Sequence, residues 1–513
     1  MANECNQNPI GSCSEAEGNS TTANGVASHA EGFQTIANSN TAHAEGSTTT
    51  AGGNASHTEG YLTQTTADTA HAEGNSTTAN GVAAHAEGYL TNANGLTSHA
   101  EGGGTLANGA YSHAEGRETR AFGENSHAEG FQTTTGNELD PIQGTNAHAE
   151  GANTIASGMV SHAEGFSTTA SGTVSHAEGV NTIASGDVGS HAEGVNTTAS
   201  GFASHAEGLS TTASGNSSHA EGEGSVASGL RAHTEGQSTT ASGEASHAEG
   251  INTTASGQAS HAEGSSTQAL ADFSHSEGLT TIVDATHTGS HIMGQNGTTR
   301  FPFSWHLANG LMVGPTLNSA VIEGATGNLY LDGAVISPNA ADYAEMFETF
   351  DGNSIDVGYF ITFDGASDKI RKANADDEYI LGITSSTPAM IADASDLRWH
   401  NLFIKDEWGK IQYHEVVVPE VKDDSGNVIQ PSFSKTEPIL NPEWDSSQEY
   451  IPRLQRPEWV PVGLVGKLLV RDDGTCQAGH YCKSNNEGIA TASSTGYRVM
   501  KRTGPNQILV LVK

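Results

Sequence analysis

The 513-residue chain sets 21 lysines and arginines against 59 aspartates and glutamates, a formal net charge of −38. A surface of that sign repels nucleic-acid phosphates and anionic bilayers, so neither a nucleic-acid partner nor membrane insertion is expected. Four scattered cysteines are too few for a disulfide framework, and no run approaches the roughly 18 apolar residues of a membrane span.

Met1-Ala2-Asn3-Glu4-Cys5 opens without a basic region followed by an apolar stretch. The expectation is a chain made in a cytoplasm without a signal peptide, with residues 1–13 as an attachment segment. From residue 14 to 294 a Ser-His-Ala-Glu-Gly pentapeptide recurs, with histidine at 29, 43, 57, 71, 85, 99, 113, 127, 148, 162, 176, 191, 205, 219, 233, 247, 261 and 275. A softer copy lies half a period later, as in Thr168-Thr169-Ala170-Ser171-Gly172 after Ser161-His162-Ala163-Glu164-Gly165. Two short strands and two glycine turns per 14 residues predict a β-solenoid.

Strands alternate faces, so Ser161, Ala163 and Gly165 point one way and His162 and Glu164 the other. Only a narrow coil requires so small a set inside on every turn. Stacking then makes parallel His and Glu ladders, spaced about 4.8 Å along a rod on the order of 90–100 Å long. The step widens between His127 and His148, where Asn137 to Gln143 read as an outward loop because Pro141 cannot donate to a ladder. Hydrogen-bonded His–Glu pairs would satisfy both groups without a ligand. A metal-binding ladder and a pH-sensing column are the alternatives these residue types leave open.

A coil filled with Ala, Ser and Gly buries little apolar surface, which points to a homotrimer sharing its core across chains. The 14-residue pattern resembles the head repeat of YadA-type trimeric adhesins, and this resemblance implies a left-handed parallel β-roll. Those heads usually carry aliphatic residues where this chain has His and Glu.

Beyond Gly294 the sequence turns to mixed β character, and residues 295–336 read as a β neck. Residues 337–513 hold the tyrosine- and tryptophan-bearing motifs of a globular domain. Ala341-Asp342-Tyr343-Ala344-Glu345, Leu381-Gly382-Ile383, Arg456-Pro457-Glu458-Trp459, Val462-Gly463-Leu464-Val465-Gly466-Lys467 and Gly496-Tyr497-Arg498-Val499 stand there in order. They resemble the autoproteolytic intramolecular chaperone domain that ends phage tailspike and pre-neck appendage proteins. The resemblance implies a mixed β or α+β domain that registers three chains and then cuts itself off between Ala341 and Asp342. Asp342 and Glu345 would be the acting carboxylates. The residues allow this: an Asp342 carboxylate closes a six-membered ring on the Ala341 carbonyl, and Glu345 can serve as general acid or base. An acyl shift to a preceding hydroxyl is excluded because residue 341 is alanine.

The chain is therefore expected to be mainly β. It reads as a trimeric tail fibre or tailspike of a virion, attached through its N-terminus and facing a host-cell receptor or glycan. Its only enzymatic act would be one self-cleavage, with no cofactor and no metal. A bacterial or spore-surface adhesin of prophage descent and a glycan-degrading spike are the alternatives.

Overall fold

Inward Ser and Ala and outward His and Glu alternate along each pentapeptide, and stacking such segments in register is the cheapest way to pair their backbones. A computed structural model of the chain describes residues 6–140, 142–310, 318–336, 340–422, 428–430, 432–447 and 449–513. It divides into two units, Met1–Ala334 and Val335–Lys513.

In the first unit each histidine strand pairs in parallel with the same strand one turn on. His71 faces His85, Ala72 faces Ala86, Glu73 faces Glu87 and Gly74 faces Gly88. A second parallel sheet stacks the half-period strands, Ala79 on Ala93 and Ala170 on Ala184. The core between them is a column of alanines such as Ala163, Ala170, Ala177 and Ala184, all fully buried. Inward serines lock the turns: Ser28 and Ser161 Oγ donate to the carbonyls of Gly25 and Gly158 at 2.8 and 2.7 Å. Thr169 is half-buried and Ser171 exposed, the outward positions expected of them.

Gln7–Pro9 already pairs with Thr21–Ala23, so this part of the expected attachment segment lies in the first turn; residues 1–5 lie outside the described residues. At the widened step the strands close over the insertion, since His127 pairs directly with His148. The extra residues form a small loop bridged from Asn137 to Asp140, with Leu139 at its exposed tip; Pro141 lies outside the described residues. The parallel stack ends on Trp305–Asn309, which pairs antiparallel with Asn318–Ile322, itself antiparallel to Leu329–Leu331.

The second unit is built on one long strand, Trp459–Arg471. It pairs antiparallel with Asp342–Glu348, Gly382–Thr384 and Gln507–Val512. Phe360, Ile383, Leu468, Val470 and Val510 fill the core beneath. Between the alternatives left open for this domain, the structure chooses β: among the described residues its only helical segment is the 3₁₀ turn Arg453–Gln455.

Glycine sets the pitch of the stack. A Cβ on Gly102, at φ +102°, would stand 2.1 Å from the Gly116 carbonyl oxygen, whereas one on the next residue, Gly103, would meet nothing within 4 Å. Gly102→Ala should therefore cost about 2–3 kcal/mol through clash and left-handed strain. Gly103→Ala should stay within about 0.5 kcal/mol. Thermal melts of the two variants check this, and equal effects would show that backbone approach does not set the pitch.

Candidate functional site

Asp342 begins the strand Asp342–Glu348, whose burial alternates from its first residue. Asp342, Ala344 and Met346 are buried on one face, while Tyr343 and Glu345 lie on the half-exposed other face. The parity is simple: three residues apart on a strand means opposite sides. The structure thus gathers the expected bond and the expected nucleophile but does not bring Glu345 to them. The Glu345 carboxylate instead accepts a hydrogen bond from the Tyr343 hydroxyl at 3.0 Å.

Two glycines make room for the Ala341–Asp342 peptide. A Cβ on Gly466, at φ +127°, would lie 2.2 Å from the Ala341 carbonyl oxygen and 2.7 Å from Asp342 Cα. One on Gly463 would lie 2.9 Å from Asp342 Oδ2. The backbone N–H of Lys467 donates to the Ala341 carbonyl oxygen at 3.2 Å, and the N–H of Ala389 donates to the Asp342 carbonyl at 2.8 Å. The peptide is therefore held on both sides, with one donor already on the oxygen that would become an oxyanion.

Asp342 is only 7% exposed, and its Oδ2 has no hydrogen-bond partner. Burial pushes its carboxyl above the ordinary carboxylate range, and a hydrogen bond with Ser385 partly offsets the rise. A buried carboxyl of raised pKa, fixed beside a polarised peptide carbonyl, is suited to nucleophilic or acid–base work on that bond. The bond borders a cleft of about 500 Å³ that Ser385, Lys467, Arg471 and Lys501 help to line. Sequence reasoning missed Ser385 and the N–H groups of Lys467 and Ala389. Only the glycine pair of Val462 to Lys467 carried a signal, since glycines inside a strand mark close backbone approach.

The second candidate region is the His/Glu face of the roll. From His29 to His291 consecutive imidazoles stack with centroids 4.5–4.9 Å apart and planes within 20°. From His85 to His291 each Nε2 faces the glutamate of the preceding turn, whereas His71 stands 4.0 Å from Glu73 of its own turn, and the pairing falls short of the expected hydrogen-bonded ladder. His148–Glu129 and His261–Glu249 bond at 3.2 Å, whereas His85–Glu73 and His99–Glu87 stand at 3.9 Å. The carboxyls crowd one another instead. Hydrogen bonds to neighbouring glutamates push Glu73, Glu101, Glu164 and Glu221 up to about 7, and the same bonds lower Glu87, Glu115, Glu178 and Glu207. Burial lowers His71, His113, His162 and His247, the charge of neighbouring histidines adding to it.

The comparisons with known proteins agree with this layout. Residues 303–507 match the family Peptidase_G2, described as an IMC autoproteolytic cleavage domain. Five stretches, 143–161, 163–187, 192–213, 206–232 and 235–260, match the YadA head domain repeat. The chain is 35% identical over 199 residues to the pre-neck appendage protein of Bacillus phage B103, covering 39% of this chain and 20% of that one. It is 36% identical over 186 residues to a putative phage-related protein of Bacillus subtilis (strain 168), covering 36% and 21%. The chain thus spans about a fifth of the length of the curated relatives it matches. Among solved structures, the C-terminal fragment of bacteriophage phi29 gene product 12 is 35% identical, with 34% of this chain and 100% of that one covered and a TM-score of 0.27. Both family resemblances drawn from the motifs hold over these stretches.

The two columns of the roll oppose each other in pH. Histidines with lowered values contribute stability that is lost as pH falls below about 6.5. Glutamates raised to about 7 contribute stability that is full below about 4.5 and lost as pH rises toward 7. Glutamates lowered by their neighbours lose theirs below about 4.5. Both columns are about a third exposed, so solvent screens each effect. The melting temperature of the full chain should therefore be nearly flat between about pH 5 and 6.5 and fall steeply below about 4.5. Calorimetric melts across that range check it. A sharp loss centred near pH 6 would instead put the histidines in control.

Proposed function

We propose that the chain is a homotrimeric phage appendage whose β-roll forms the shaft and receptor-facing surface. Its C-terminal unit sets the register of three chains and then cuts itself off between Ala341 and Asp342. The observation that carries this reading is the peptide bond itself. It is polarised by Lys467, framed by Gly463 and Gly466, and followed by a buried Asp342, inside a stretch that matches an autoproteolytic family. A rod of near-identical turns can pair out of register by whole 14-residue steps, so a separate clamp answers a physical need.

The opposite faces of Asp342 and Glu345 extend the proposal. In the trimer, Glu345 serves the bond of a neighbouring chain. The Asp342 carboxylate attacks the Ala341 carbonyl carbon, and the oxyanion forms against the Lys467 N–H. The partner chain's Glu345 carboxyl gives its proton to the departing Asp342 nitrogen as the C–N bond breaks. The resulting Ala341–Asp342 anhydride then takes a water, deprotonated by the same glutamate, to leave an Ala341 carboxylate and a free Asp342 amine. The relative from Bacillus phage B103 is named a pre-neck appendage protein, and by this reading the chain occupies the virion tail after synthesis in the host.

Denaturing mass spectrometry of purified protein should find two pieces, 1–341 and 342–513. Asp342→Asn and Glu345→Gln should each leave a full-length trimer. Trimers co-folded from the two variants distinguish the geometry. Only Glu345→Gln chains should be cut there, because they keep Asp342 and borrow Glu345 from the other variant. No cutting in the mixture would place Glu345 in the same chain as its bond. An intact wild-type trimer would reduce the unit to a clamp.

A further inference from the structure

In the pentapeptides of the roll, glutamates such as Glu129, Glu150 and Glu164 lie between two imidazoles, that of their own turn and that of the next. The ligand atoms of His127, Glu129 and His148 all lie within 4.8 Å of one another, as do those of His148, Glu150 and His162. His148 Nε2 stands 3.2 Å from Glu129 Oε1, and His162 Nε2 stands 3.4 Å from Glu150 Oε1. Two donors bound tetrahedrally at about 2.0–2.1 Å from zinc stand about 3.3–3.4 Å apart, so these pairs already have the span of a metal's edge.

A second observation is independent of the spacing. The Nε2 atoms of His127, His162 and His176 are closed to solvent and, though 3.4–3.5 Å from the facing glutamate oxygens, make no hydrogen bond of good geometry. A packing ladder leaves those nitrogens unsatisfied, at the usual cost of a buried polar atom. It also lines up carboxyls at the pitch of the turns on a chain of net charge −38. A divalent ion resolves both.

We propose that the column from His127 to His176 binds two borderline divalent transition ions, zinc being the fitting one, each held by one glutamate and the imidazoles of its own and the following turn. Water completes the shell on the exposed side. The mixed nitrogen and oxygen set selects against magnesium, which prefers oxygen ligands and its own water shell. Because each ion takes two imidazoles, occupancy is limited to about one ion per two turns. This proposal concerns the roll alone and stands apart from the cleavage reading.

The test uses the full-length protein, stripped with chelator and dialysed against zinc chloride, with magnesium chloride as the control. Expected are saturable uptake of more than one zinc per chain, none of magnesium in competition, and a zinc-dependent rise in melting temperature reversed by chelator. Combined Glu129→Gln, Glu150→Gln and Glu164→Gln should lower the zinc count by about two while sparing the turns on either side. Should that variant fail to fold, the single change His162→Gln should lower the count by about one. Less than one zinc per chain at about 0.1 mM free zinc would overturn the proposal. So would a folded variant that binds as much zinc as wild type, because uptake would then not involve the column.

Discussion

The first unit depends on one repeated contact, the backbone of one turn pressed against the glycine of the turn before. A Cβ on Gly165 would stand 2.3 Å from the carbonyl oxygen of Gly179, and the same holds up and down the stack. No side chain fits there, so the turns close to strand spacing and must repeat with little variation. The interior is then Ala, Ser, Thr and Gly along most of the stack, and larger side chains, Val283 and Ile292, enter only in its last turns. The corners are sharp enough to hold even Val160 at φ 57°. Strain is accepted at the corners because each turn gains two strands' worth of backbone pairing.

That closeness also creates the chemistry of the surface. Side chains that would be solvated neighbours on an open sheet become columns of identical groups at the pitch of the turns. Imidazoles tolerate this by stacking face to face. Carboxylates do not, and hydrogen bonds between neighbours push alternate ones such as Glu73 and Glu164 up to about 7 while lowering those between them. The seven-residue excess between His127 and His148 leaves the column intact, since their rings still stack at 4.9 Å. An insertion that loops outward disturbs none of the contacts that set the pitch.

The second unit uses the same device once, for a different end. Gly463 and Gly466 let the start of one strand sink against the middle of another, and the peptide so admitted is the one before Asp342. Burial raises the carboxyl, and the Lys467 N–H reaches the carbonyl oxygen because there is no side chain at residue 466 to hold the strands apart. Glu345 faces away, on the half-exposed side, where it accepts the Tyr343 hydroxyl.

The sequence by itself determined the solenoid, its period, its small interior and the parallel columns, because a two-residue alternation inside a 14-residue repeat admits one inside and one outside. It also singled out Asp342 and the bond before it through neighbouring motifs. It could not reveal that most His–Glu pairs stand beyond hydrogen-bond reach, as between His85 and Glu73, because that distance depends on how side chains settle between turns. Nor could it find Ser385 or the Ala389 N–H, which lie more than 40 residues from Asp342 along the chain and meet it only when the sheet forms. It treated Asp342 and Glu345 as partners because they are close along the chain. The tertiary structure separated them, since a strand turns residues three apart to opposite faces and only packing decides which face is buried.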